Sequence, residues 1–99
     1  SYVFTKTEGL IDLDGDGTLE SGYALHTGAN ESLRTIELPA NIVIEEDKET
    51  GLTIIIDVKK EFGSNPVYDI ETNPQIHSLS QMPFVKQLID NLTTAFSVE

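Results

Sequence analysis

The sequence predicts a mainly β fold, an antiparallel, sandwich-like sheet with one C-terminal α-helix, as part of a larger domain. Three observations carry that expectation. Short runs rich in Val, Ile, Thr and aromatic residues recur from residue 2 to residue 58, separated by Gly, Pro and Asp/Asn clusters, the punctuation expected of strands and turns. The run Leu52-Thr53-Ile54-Ile55-Ile56-Asp57-Val58 is the most β-branched stretch of the chain. Residues 83–95 instead carry a helical apolar period, with Phe84, Leu88, Leu92 and then Ala95 or Phe96 on one side.

A first strand is expected at about 2–8, where Tyr2, Phe4 and Lys6 alternate with Val3, Thr5 and Thr7 before Gly9. An acidic loop follows at 12–20. The second strand, about 21–27, sets Tyr23 and Leu25 on one face and Gly22, Ala24 and His26 on the other. Gly28 to Glu31 turn the chain. A third strand, about 32–38, stops at Pro39, and a fourth, about 41–46, leads into the polar turn Asp47-Lys48-Glu49-Thr50-Gly51. The fifth, about 52–58, reads as central and largely buried. Lys59 to Phe62 fit a single helical turn, broken by Gly63-Ser64-Asn65-Pro66. Residues 67–81 show no period and read as an irregular connection. Pro83 suits the first turn of the final helix, about 83–95.

Charge excludes two classes of partner. Seventeen carboxylates against six Lys and Arg leave 99 residues with a formal charge of −11. Nucleic acid needs a basic face, and an anionic membrane surface needs basic clusters; this chain offers neither. Without cysteine there is no disulfide, thiolate metal site or thiol nucleophile. No G-x-S-x-G context or phosphate-cradling Gly loop is present, so the chain reads as non-enzymatic. Asn91-Leu92-Thr93 has the form of a glycosylation acceptor, but it falls inside the expected helix. The chain opens inside a β pattern, as though cut from something longer.

Two groups of residues suit a metal ion. Asp12-x-Asp14-x-Asp16-Gly17 alternates carboxylates ahead of a Gly, the way a calcium loop wraps oxygens around a hard cation. Thr18 would add its carbonyl and Glu20 a further oxygen. The twelfth position of such a loop is Tyr23 rather than Glu, so this is no EF-hand. The plain alternative is an Asp/Gly-rich connection with no ion, since these residues favour turns. The other group is softer. His26 is a candidate copper ligand, and a His26/His77/Met82 grouping would suit Cu(I) if folding joined the three. Taken singly, His26 also fits a half-buried structural histidine.

Several segments in order resemble one family: Tyr2-Val3-Phe4 leading to Glu8-Gly9, Leu25-His26-Thr27-Gly28, Leu33 to Leu38, Ile54 to Phe62, and Leu88 to Phe96. Together they resemble the C-terminal half of the MbnP-like domain, a methanobactin-associated copper-binding family of bacterial exported proteins and lipoproteins. The resemblance implies a β-rich, sandwich-like fold and a periplasmic or cell-surface location. It implies copper held by histidines and an oxidised tryptophan, with His26 matching the His of the family's His-x-Gly segment. It also implies a MauG-type di-haem peroxidase as a partner. This chain has no Trp, so the tryptophan segment and the other ligands would lie before Ser1, in a missing N-terminal half of the domain. The acidic loop has no counterpart in the resemblance.

Two expectations follow. One is an exported copper-binding protein whose site, with His26, is completed by that missing segment. The other is a calcium-stabilised structural or interaction β-module of the cell surface, with Asp12, Asp14, Asp16, Thr18 and Glu20 as its ion loop and no redox metal.

Overall fold

The computed structural model describes residues 3–64 and 66–99; Tyr2 of the first expected strand and Asn65 of the expected breaker lie outside the described residues. Five strands and one helix occur in the order β1 (Val3–Ile11), β2 (Ser21–Gly28), β3 (Ile54–Ile56), β4 (Gln75–Ile76), α1 (Met82–Leu92) and β5 (Phe96–Val98). They form two small sheets, β1-β2-β4 and β3-β5. The fold is therefore β-rich with a C-terminal helix, but it is not wholly antiparallel, because β4 runs parallel to β2. No described helix is long and apolar enough to cross a membrane.

The β1–β2 hairpin sets the frame. Its register pairs Lys6 with His26, Thr7 with Leu25 and Glu8 with Ala24. Period-two alternation then sorts the faces. Leu25 and Thr27 are fully buried, while Ala24 and His26 stay part-exposed. The register slips between Val3 and Thr5, and the Thr5 and Thr27 hydroxyls hydrogen-bond to each other beside the slip. β4 is only two residues long, yet it docks firmly: the Ala24 amide donates to the Pro74 carbonyl at 2.8 Å, and Leu25 lies beside Ile76. The expected irregular connection thus contains a strand that no periodicity could announce, since two residues have none.

The core gathers on the Leu25 face. Leu25, Tyr68, Ile76, Val85 and Leu88 form one buried cluster, so the apolar stripe of α1 closes over β2 and β4. The helix is entered through a reciprocal cap, in which the Ser78 hydroxyl and the Gln81 side chain each accept from the other end of the turn Leu79–Gln81. Pro83 follows in the first turn. The helix ends at Leu92 rather than near 95. Thr93 and Thr94 donate their hydroxyls to the carbonyls of Asp90 and Asn91 at 2.6 and 2.7 Å, which competes with helix continuation. Phe96–Val98 then leaves as a strand.

One carboxylate is taken inside. Glu61 is 1% exposed, in the turn Val58–Phe62. It accepts from the Thr7 hydroxyl at 2.7 Å, and its backbone carbonyl accepts from the Asn91 side-chain Nδ2 at 3.1 Å. Burial pushes its carboxyl up from the ordinary value.

The stretch from 33 to 58 departs most from expectation. Residues 32–38 and 41–46 form no strand. Their alternating side chains suit a sheet, but among the described residues no neighbouring strand supplies a ladder. Of the expected buried strand 52–58, only Ile54–Ile56 pairs, and only with β5. Its three isoleucines are 54%, 44% and 51% exposed. A two-stranded ribbon has no second layer to hide either face, so high β propensity yields a strand here without burial.

Candidate metal centre

The register that builds the first sheet also brings the two histidines together. Ala24 pairs with Gln75 and Leu25 with Ile76, so the next rung sets His77 beside His26. The ring centroids are 4.6 Å apart and the planes meet at 80°. The two Nδ1 nitrogens lie 3.2 Å apart.

The opposite nitrogens are already engaged. His26 Nε2 lies 2.6 Å from Glu8 Oε1. Glu8 and His26 are diagonal neighbours across β1 and β2, within reach of long side chains. The hydrogen bond from His26 holds the Glu8 carboxyl below its ordinary value, so it acts as an acceptor and requires a proton on His26 Nε2. His77 Nε2 lies 2.9 Å from Gln75 Oε1. The orientation of that amide is fixed, because Gln75 Nε2 donates to the Gly22 carbonyl at 3.2 Å. His77 must therefore donate through Nε2 as well.

Hydrogen-bond accounting then leaves both Nδ1 atoms as acceptors when the rings are neutral. Two lone pairs facing at 3.2 Å have no hydrogen between them. Such a pair is satisfied by a proton on one ring or by a cation accepting from both.

The backbone around His77 is fixed too. Its amide and that of Ser78 donate to Gln81 Oε1 at 2.9 and 3.0 Å, and Gln81 Nε2 donates to the Gln75 carbonyl at 2.8 Å. Beside the pair lies a cleft of about 80 Å³, lined by His26 and His77 and by Val3, Leu79 and Met82 among others. The three residues of the soft group are thus brought to one cleft. Neither Glu8 nor Gln75 was read from the sequence as a partner of the histidines. The only signal for them is the strand pairing itself, which puts Glu8 one diagonal from His26 and Gln75 two residues before His77.

The acidic loop is a separate group, between β1 and β2. One oxygen from each of Asp12, Asp14, Asp16 and Glu20 can be chosen so that all lie within 4.8 Å of one another. Much of that oxygen is already committed to the loop's own backbone. Asp12 accepts from the amides of Gly15 and Gly17, both at 2.8 Å, and from Asp16 at 3.2 Å. Asp14 accepts from the Asp16 amide at 3.1 Å. Thr18 enters through its amide, which donates to Asp16 at 2.7 Å. Gly15 and Gly17 take φ of 74° and 88°, which lets the loop coil this tightly. Glu20 and Asp14 share a hydrogen bond that raises the Glu20 carboxyl and lowers that of Asp14.

Comparison with family models, curated proteins and solved structures finds no match to this chain.

Proposed function

We propose that this chain is an exported copper-binding protein without catalytic activity, and that His26 and His77 are its ligands through their facing Nδ1 atoms. One observation carries the reading: the two Nδ1 atoms face each other at 3.2 Å while a side-chain oxygen engages each Nε2. The donor set fits a metal ion. With a metal–nitrogen distance near that of zinc, about 2.0 Å, nitrogens this far apart subtend roughly 105° at the ion, close to tetrahedral.

Each residue around the pair has a distinct task. Glu8 orients the His26 ring, as carboxylates behind ligating histidines do. Gln75 orients His77 in the same way but without charge. Met82 brings a thioether to the same cleft, which favours a softer ion over a hard one. Copper, when bound, would supply a redox-active centre. The same proposal includes a segment laid over the open Lys6, Glu8 and His26 face, bringing further ligands and a second, sandwich-like layer. That segment corresponds to the N-terminal half implied by the family resemblance, as do a periplasmic or cell-surface location and a MauG-type peroxidase partner.

The convergence of Asp12, Asp14, Asp16 and Glu20 favours a second reading, a calcium-stabilised surface module. Oxygen ligands select calcium as firmly as imidazole and sulfur select copper.

One experiment separates them. Purified protein is titrated with Cu(I) against a chromophoric competitor and, separately, with calcium while thermal stability is followed. Equimolar copper, lost in the His26→Ala/His77→Ala double variant and kept in Asp14→Ala, is the expected result. Copper retained by the double variant would sink the reading, and a calcium-dependent rise in Tm that Asp14→Ala abolishes would put the acidic loop in its place.

A further inference from the structure

At the loop end of the β1–β2 hairpin lies a cleft of about 340 Å³, lined by Leu10 and Ile11 of β1, Tyr23 of β2, and Phe62 and Tyr68 among others. Every lining residue is apolar or aromatic. That size and lining are those of a small-molecule site. Its aromatic side chains are held in place before any ligand arrives. Tyr23 stands opposite Gly9 in the hairpin register. A side-chain carbon at Gly9 would fall 3.0 Å from the Tyr23 hydroxyl and 3.1 Å from its ring, so only glycine lets the ring lie there. The Tyr68 amide donates to the Phe62 carbonyl at 2.7 Å, and the Tyr68 hydroxyl donates to the Asn73 carbonyl at 2.8 Å.

The charge around this lining has one sign. Asp12 follows Ile11 in the chain, and Asp69 and Glu71 flank the lining residue Ile70. No Lys or Arg occurs in residues 7–33 or 61–85. The nearest base in the chain, Lys60, lines a different cleft with Gly63 and Asn91. The negative field reaches the lining itself: burial and the charge of Asp69 push the Tyr68 phenol up to about 12. The same field that opposes a phenolate favours a cation. Aromatic rings favour one too, through their quadrupoles.

We propose that this cleft binds a small organic cation with an apolar body, an alkylated ammonium compound, whose methyl groups pack on the aromatic lining and whose charge meets the rings and the flanking carboxylates. An anion of the same shape is repelled, and a neutral one gains burial alone. This cleft shares no lining residue with that of the histidine pair, and the inference does not depend on copper.

The test titrates the whole chain, to millimolar concentration, with three probes of like shape: choline, its uncharged isostere 3,3-dimethylbutan-1-ol, and the anion 3,3-dimethylbutanoate. Amide chemical shifts are read by residue. Choline is expected to move the amides of 10, 11, 23, 62 and 67–70, and to bind about tenfold more tightly than the alcohol. The anion should leave them unmoved. Val67, another lining residue, is 62% exposed. Val67→Lys should therefore weaken choline at least about tenfold by like-charge repulsion while keeping the thermal transition. Phe62→Leu keeps an apolar lining and should narrow the gap between choline and the alcohol, which a purely apolar cleft would not do. Four results would overturn the proposal: equal affinity for choline and the alcohol, shifts confined to the acidic loop at 12–20, no shift at the lining residues, or choline binding that Val67→Lys leaves unchanged.

Discussion

The two sheets have similar residues and opposite fates. In the first, a two-residue strand holds Ile76 fully buried; in the second, three consecutive isoleucines are about half exposed. The difference is the layer behind them. β2 and β4 are backed by α1, which lays Val85 and Leu88 onto Leu25 and Ile76. β3 has a bonded neighbour along one edge, and no helix packs its isoleucines into the buried core. Burial, and with it most of the stability of a strand, comes from what covers the pleat and not from the propensity of the residues in it.

The largest effect expected from this contrast is in the core. Ile76→Ala should cost about 2–5 kcal/mol in chemical denaturation, whereas Ile55→Ala should fall within about 0.5 kcal/mol. An Ile55 cost as large as that of Ile76 would mean the ribbon is covered in solution and the contrast is false.

Next comes the proposed copper site, which belongs to the packed sheet. His77→Ala should weaken copper at least about 100-fold by removing one of two ligands, and Gln75→Leu about 10-fold by freeing the ring it orients. Ile55→Lys should leave copper affinity unchanged. A copper titration of the three variants checks all of this, and equal losses in all three would dissolve the distinction between body and ribbon.

A smaller effect sharpens the picture of the interior by its dependence on pH. Glu61 is buried and its carboxyl is raised from 4.5. The folded state therefore binds that proton more tightly than the unfolded chain does. The contribution is fully present below the unfolded value and is lost as pH rises through the raised one. Glu61→Gln keeps an acceptor for Thr7 and removes the titration. Its Tm relative to the parent should rise between acid and neutral pH, and a constant difference would show that Glu61 is not desolvated. Glu8 runs the other way. Its lowered carboxyl contributes above 4.5 and loses that contribution as pH falls through the depressed value. Glu8→Gln should therefore narrow the gap to the parent in acid.

The sequence made the second strand, the acidic loop and the helix legible, because each carries its own periodicity or turn chemistry. Leu25 and His26 fall on the expected opposite faces. The alternation of 32–38 and 41–46 was equally clear, yet these residues pair with nothing described. Alternation reports that a segment can lie in a sheet, and it does not supply the neighbour. The meeting of His26 with His77 was legible only as a condition, since it rests on β4. Two residues give no period, and a parallel pairing gives no short turn to announce it. Thr93 and Thr94 ended the helix early by local bonds that the apolar stripe conceals.

The histidines lie 51 positions apart in the chain and side by side where β2 and β4 meet. Any ion that bridges them also closes the loop between them. In the unfolded chain the same rings are two distant, weak donors, and holding them together would cost the entropy of that closure. An ion bound here would therefore stabilise the folded state by mass action, in proportion to its free concentration over its dissociation constant. The pair would act as a clasp on the middle of the chain, and the strength of the clasp would report whether β4 has docked.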